Sequence, residues 1–236
     1  MQINSDKFPT SPYTIEIIRS KRKYLSISVK CGKVIAKSPH NAPKKWIFEF
    51  VRSKHKWILS QLEEQAIKHS ERLQLVTGKA VPFMGIPRTV YITDNPRKSI
   101  TLDDSKLTIK IRKTGPEAVE KAYSQWLQEK AKEYMGPRTF AIARALGVEN
   151  KIKDIRFRKT KTKWGHCSSD GVIQYNWLVM MAPEAVIHYL MAHECSHLIH
   201  LNHSKAYWKT VAGICPEWKT HRQWLSDNGH RFWTSV

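Results

Sequence analysis

The chain has 236 residues, 41% hydrophobic and 25% charged, and its 40 Lys and Arg against 20 Asp and Glu give a formal net charge of +20. That composition excludes a disordered chain, and the length excludes several large domains, so one molecule in two lobes is expected. The charge attracts anions, whether nucleic acid, nucleotide or an acidic surface, and by itself identifies none of them.

Met1 to Thr10 lacks the apolar run of a secretory leader, and nowhere does the chain reach the ~18 consecutive apolar residues of a membrane span. A cytoplasmic protein with no membrane partner is expected. Cys31, Cys167, Cys195 and Cys215 are too few and too widely spaced for a disulfide scaffold, so they are read as thiols.

Taken in chain order, residues 1–70 hold 14 Lys and Arg against 5 Asp and Glu. Arg19, Lys21, Arg22 and Lys23 precede a strand pattern and are candidates for lining an anion-binding groove, against the plainer reading of a solubilising face. β-formers dominate Tyr13 to Ile18, and Tyr24 to Val29 alternates with the period of a half-buried strand. Cys31-Gly32-Lys33 then reads as a turn into Val34 to Ser38. Pro43 is suited to open a helix running to about His69, with Trp46, Phe48, Phe50 and Trp57 expected to pack into the core.

Gly78 to Thr93 and Ser99 to Ile111 carry short β-like runs, interrupted at Gly85-Ile86-Pro87 and Asp94-Asn95-Pro96, which favours further antiparallel strands. From Pro116 to Leu146 good helix formers prevail, with Gly136-Pro137 as a point of division or kinking and Gly147 as the stop. Ile152 to Phe157 reads as a strand. Trp164 to Cys167 and Val172 to Leu178 read as a hairpin turning at Asp170-Gly171, and Pro183 opens an apolar helix. No internal repeat or low-complexity linker is legible. The lobes are expected at 1–115, a mixed lobe of small antiparallel sheets and a helix, and 116–236, a catalytic lobe.

The apolar helix carries His193-Glu194-Cys195-Ser196-His197, an H-E-x-x-H sequence. Four residues apart on a helix, two imidazoles leave the same face one turn apart and can hold one ion, and the intervening carboxylate can reach the water such an ion activates. A catalytic zinc normally takes three protein ligands. His203 follows Leu201-Asn202, where the helix can end and the chain turn back, and Ser204 is suited to cap the next helix. His200 competes, but three ligands climbing one straight helix wrap an ion poorly, so it is read as touching substrate or supporting the ligands. Glu217, His221, Asp227 and His230 are read as surface groups, and Cys195 as a buried thiol pointing away from the ion.

Further residues sharpen this. Arg158, Trp164-Gly165-His166-Cys167-Ser168-Ser169, Gly171, Ile173, Asn176-Trp177-Leu178, the H-E-x-x-H segment with Leu198, Asn202-His203-Ser204, Trp208 and Pro216 resemble the YgjP-like family of bacterial metallopeptidase-fold proteins, and a weaker likeness extends over nearly the whole chain. The resemblance implies an α+β, zincin-like unit with the active-site helix beside a β-hairpin, plus a β-rich N-terminal lobe. It implies that His193, His197 and His203 are metal ligands and Glu194 the catalytic base. Two departures stand out: His166 where the family more often has Ser, and Cys195 where an aliphatic residue is common. Arg158, Trp164, His166 and Asn176 join His200 as candidates for substrate contact or ligand support. Gly165 permits close backbone approach, and Trp164 is suited to wedge between hairpin and helix.

These readings converge on a metal-dependent hydrolase with one Zn²⁺ per chain, acting on a peptide or protein and needing no obligate protein partner. The alternative is a nucleoside triphosphate pyrophosphohydrolase using Mg²⁺ or Mn²⁺ at the same centre, with Arg19, Lys21, Arg22, Lys23, Arg158, Lys161 and Lys163 neutralising phosphate charge. A third reading, from another class, is a nucleic-acid-binding protein whose zinc is structural and whose Lys159-Thr160-Lys161-Thr162-Lys163 segment contacts phosphates.

Overall fold

Alternating Ile, Val and Ala residues build the first sheet. Its strands are β1 (Ile3–Lys7), β2 (Thr14–Ser20), β3 (Ser26–Lys30) and β4 (Lys33–Pro39), in the order β1-β2-β4-β3. Ile15, Ile17, Val34 and Ala36 turn to one buried face. The tight turn at Cys31-Gly32 makes β3 and β4 antiparallel, and β4 then seats beside β2 in parallel. The sheet is therefore mixed and not antiparallel, because joining Val34 and Ala36 to the apolar face of β2 requires β4, not β3, to lie next to it. Helices α1 (Lys44–Ser53) and α2 (His55–Ser70) break at Lys54 and bury Ile47, Val51 and Ile58. Trp46 and Trp57, expected in the core, are 48% and 44% exposed, because the buried stripe of these helices is aliphatic.

This computed structural model describes residues 3–7 and 12–234, so part of the opening segment read for a leader lies outside the described residues. The chain divides into two compact units, Met1–Glu71 and Arg72–Val236. The division falls after Glu71 and not after residue 115. The second sheet supplies Val81, Val90, Leu107 and Ile109 to the same core as the helices that follow it, so it cannot belong to a separate lobe.

That second sheet comprises β5 (Ala80–Phe83), β6 (Ile86–Asp94), β7 (Ser99–Leu102) and β8 (Lys106–Ile111) in the order β5-β6-β8-β7, with β6 and β8 parallel. Strand for strand it repeats the layout of the first sheet, a repeat of topology that no sequence periodicity discloses. Helix α3 (Pro116–Ala145) follows and continues through Pro137 as one element. The third sheet, β9 (Asp154–Phe157), β10 (Gly165–Cys167) and β11 (Val172–Tyr175), has the order β10-β11-β9, so β10 is an edge strand.

A fully buried 3-10 turn, Trp177–Met181, leads into α4 (Glu184–Ser196), and α5 (Lys205–Ile214) and α6 (Trp218–Asn228) complete the unit. The Met84 and Gly85 amides of the β5–β6 turn donate to the Met180 and Met181 carbonyls, which ties the second sheet to the segment that launches α4. Among the described residues no helix is long and apolar enough to cross a membrane. The result is an α+β fold with one apolar core running from the second sheet through α3 to α4.

The β10–β11 hairpin is pinned at Gly171, whose φ is +87° and where a Cβ would lie 2.0 Å from the Lys151 carbonyl oxygen. Both the backbone conformation and the space exclude a side chain. Gly171→Ala is expected to lower stability by about 3 kcal/mol, read as a shift of the urea unfolding midpoint at unchanged slope.

Candidate metal centre

Helix α4 is apolar over most of its surface. Val186, Ile187, Leu190 and Met191 enter the main core, and Tyr189 and Ala192 pack with Tyr207, Val211 and Cys215 against α5. His193 and Glu194 lie in its last turns, and His197 is its C-cap residue. The chain then leaves the helix: Leu198 and Ile199 donate to the Cys195 and Ser196 carbonyls, and Lys151 Nζ donates to the Leu198 carbonyl at 3.1 Å, a cation against a helix C-terminus. His203 lies beyond this turn, just before Ser204, whose hydroxyl accepts from the Tyr207 amide and caps α5. The three imidazoles thus come from a helix, its cap and the connection that follows, and not from one continuous helix.

Their ligand atoms all lie within 4.8 Å of one another. His193 Nε2 and His203 Nε2 are 3.3 Å apart. Two nitrogens each about 2.05 Å from a tetrahedral zinc are separated by about 3.3 Å, so this spacing suits a shared ion. The other ring nitrogens are engaged from behind. His197 Nδ1 is 3.0 Å from the His200 carbonyl oxygen, which fixes Nδ1–H as donor and leaves Nε2 with its lone pair. His193 Nδ1 lies 3.4 Å from the Tyr189 hydroxyl.

Tyr207, fully buried, contacts all three rings at centroid distances of 5.4, 4.5 and 4.7 Å for His193, His197 and His203, and its hydroxyl donates to the His193 carbonyl. Trp208 packs beside His193 and His203 and stacks on Trp218.

Electrostatics favour a metal here. Burial, then the neighbouring His197 and His203 and the Arg222 cation, push His193 down to about 3, so it is a neutral imidazole at ordinary pH. Burial also lowers His197, opposed by its bond to the His200 carbonyl. Neutral imidazole is the ligating form. Glu194 is 3% exposed, and among the described residues its side chain has no hydrogen-bond partner. Burial raises it to about 8, while the Lys163 cation pulls the other way. A buried carboxyl without a protein hydrogen-bond partner beside this cluster of imidazoles is the donor environment a divalent cation would complete.

Glu194 and His193 border a cavity of about 390 Å³ together with Gly165. Strand β10 is pressed onto the carboxyl so closely that a Cβ at Gly165 would lie 2.1 Å from Glu194 Oε1. Trp164 packs edge-on to Phe232 and against Trp233, between the hairpin and the end of α6.

The remaining candidates separate. His166 is exposed on β10, close enough to disfavour protonation of His197. His200 contributes its carbonyl. Asn176 is buried, accepts from the Leu178 amide and donates to the Thr160 carbonyl, so it fixes the segment before β10 and does not face the cavity lining. Arg158 lines a different cavity, beside β9 and α3, with Lys132 and Arg156. Lys161 and Lys163 border a cavity adjoining the centre.

Arg19 Nη1 donates to the Pro39, His40 and Ala42 carbonyls, which ties this guanidinium to the chain around β4. Lys21, Arg22 and Lys23 belong to the first unit. Cys195 is buried with Sγ toward the Thr139 carbonyl, as expected of an inert thiol. Arg222, on the cavity wall, escaped the sequence reading; it lies 25 residues beyond His197, and no spacing rule joins it to the motif.

The YgjP-like metallopeptidase domain family matches residues 23–228. Among solved structures, the crystal structure of the metallopeptidase zymogen abylysin of Pyrococcus abyssi is 21% identical, covering 48% of this chain and 99% of that chain with a TM-score of 0.31. No curated protein sequence matches.

A chelated sample is expected to melt at a lower temperature than the same protein with zinc at 100 times its dissociation constant, the difference corresponding to about 2.7 kcal/mol. His193→Ala and His203→Ala are each expected to lose that response, with bound zinc falling from one equivalent to a small fraction by elemental analysis.

Proposed function

The chain belongs to the YgjP-like metallopeptidase family, and on that premise we propose that it is a zinc-dependent peptidase with Glu194 as general base. The observation that carries the reading is the buried, unpartnered Glu194 carboxyl beside three imidazoles whose ligand atoms lie within 4.8 Å of one another. His193, His197 and His203 would hold the ion. Zinc in such a place acidifies a water molecule and polarises the carbonyl under attack.

In its ionised form Glu194 takes a proton from the attacking water and returns it to the leaving nitrogen, a role suited to a carboxyl whose proton affinity burial raises above the usual carboxylate range. Gly165 lets the β10 backbone lie against that carboxyl, and as an edge strand β10 can pair with an extended substrate. Tyr207 and the His200 carbonyl orient the imidazoles.

A pyrophosphohydrolase acting on nucleoside triphosphates through Mg²⁺ or Mn²⁺ is the second reading, and it rests on the net charge of +20 with Lys161 and Lys163 beside the centre. A structural zinc in a nucleic-acid-binding protein is disfavoured, since that role asks four protein ligands and the cluster among the described residues has three.

Glu194→Gln is expected to keep zinc and the wild-type fold while losing about 10² to 10⁴ in peptide turnover, measured on a fluorogenic peptide library. Unchanged turnover in that variant overturns the assignment of the base. Gly165→Ala is expected to push the carboxyl aside, lowering kcat by about 10²-fold with one zinc still bound.

A further inference from the structure

The cavity at His193 and Glu194 does not end there. A second cavity, of about 240 Å³, shares Lys163, Trp164, Leu225 and Ser226 with the first and runs on toward Gly229 and His230, so the two form one trough along α6. Lys161 lines the second cavity, and two cations line the first, Lys163 from the segment before β10 and Arg222 from α6. Among the described residues neither has an ion-pair partner, and Glu194 is the one acid on the wall of the first cavity. Beside β9, by contrast, Arg156 pairs with Asp154 at 2.7 Å and Lys153 with Asp170 at 4.0 Å. Arg222 stands over the Trp208 ring, 5.3 Å from its centroid, a contact that holds the guanidinium in place and leaves its donors available. Both share the wall of one cavity with His193 and Glu194, so both lie within reach of a substrate at the centre.

We propose that Arg222 and Lys163 form a carboxylate subsite, which directs cleavage to peptides carrying an Asp or Glu side chain beside the scissile bond. The proposal rests on the peptidase reading and names its substrate class. A planar guanidinium fork matches a carboxylate through two parallel hydrogen bonds, and an ammonium adds a second charge-assisted donor. The remaining surface, from Trp164, Tyr189, Leu190 and Leu225, suits the apolar backbone and stem of an acidic residue.

The test compares peptides that differ only in Glu or Gln at one position, scanned along the sequence, as substrates of the zinc-loaded protein and as fluorescent ligands of Glu194→Gln. Expected is a position at which the Glu peptide is cleaved about tenfold faster and bound about tenfold tighter than its Gln twin, a preference that weakens with added salt. In Arg222→Gln the ratio falls to about one, and in Arg222→Glu a Lys peptide is preferred. Because Arg222 is exposed, circular dichroism and melting of these variants should match the wild type.

A Glu-to-Gln ratio of one in the wild type, or the same ratio in Arg222→Gln, overturns the subsite. Tighter binding of a nucleoside triphosphate than of any Glu peptide, lost in Arg222→Gln, overturns it as well. If no peptide is cleaved but the Glu preference in binding depends on Arg222, the peptidase reading fails and the carboxylate subsite stands.

Discussion

A buried helix that ends in ionisable side chains governs this molecule. Helix α4 is enclosed by α3, α5, α6 and β10, so His193, Glu194 and His197 leave water together when the chain folds. Each polar group must then find a partner or change its protonation state. The histidines do both: they become neutral, and their outer nitrogens face the Tyr189 hydroxyl and the His200 carbonyl. The helix end is satisfied by Lys151 and by the Tyr207 hydroxyl. Glu194 responds by a change in proton affinity, raised by burial, and its carboxyl borders the cavity without a hydrogen-bond partner among the described residues.

The surface charge works on a different scale from this centre. A net charge of +20 favours anionic partners in general, but individual cations differ in what they are free to do. Arg19 is held by three carbonyls, and Arg144 by both oxygens of Glu149. Lys163 and Arg222 remain uncommitted on the wall of the working cavity. Exposed ion pairs contribute little to stability, so what distinguishes these two residues is their position and not their number.

How legible the fold was depended on whether its signal is local. β-formers marked β2, alternation marked β3 and the Cys31-Gly32 turn marked the start of β4, Pro116 and Gly147 bracketed α3, and Asp170-Gly171 marked the hairpin of the third sheet, because dihedral preference and face periodicity act within a few residues. Pairing partners do not. The parallel β2–β4 and β6–β8 pairs, the shared layout of the two four-stranded sheets and the division after Glu71 all follow from which apolar faces meet at long range. Trp46 and Trp57 failed for a related reason: size and apolarity suggest burial, but the helix stripe that meets the sheet is Ile47, Val51 and Ile58.

The sequence by itself determined the chemistry of the centre: the H-E-x-x-H spacing places two imidazoles one helical turn apart, and Ser204 closes the loop bearing His203. Both are consequences of a 1.5 Å rise per residue and of local capping. Only the tertiary structure decided what surrounds that chemistry. Tyr207 from α5, Gly165 from an edge strand and Arg222 from α6 reach the centre from separate parts of the chain. Their convergence is set by packing of whole elements, which leaves no fixed spacing in sequence.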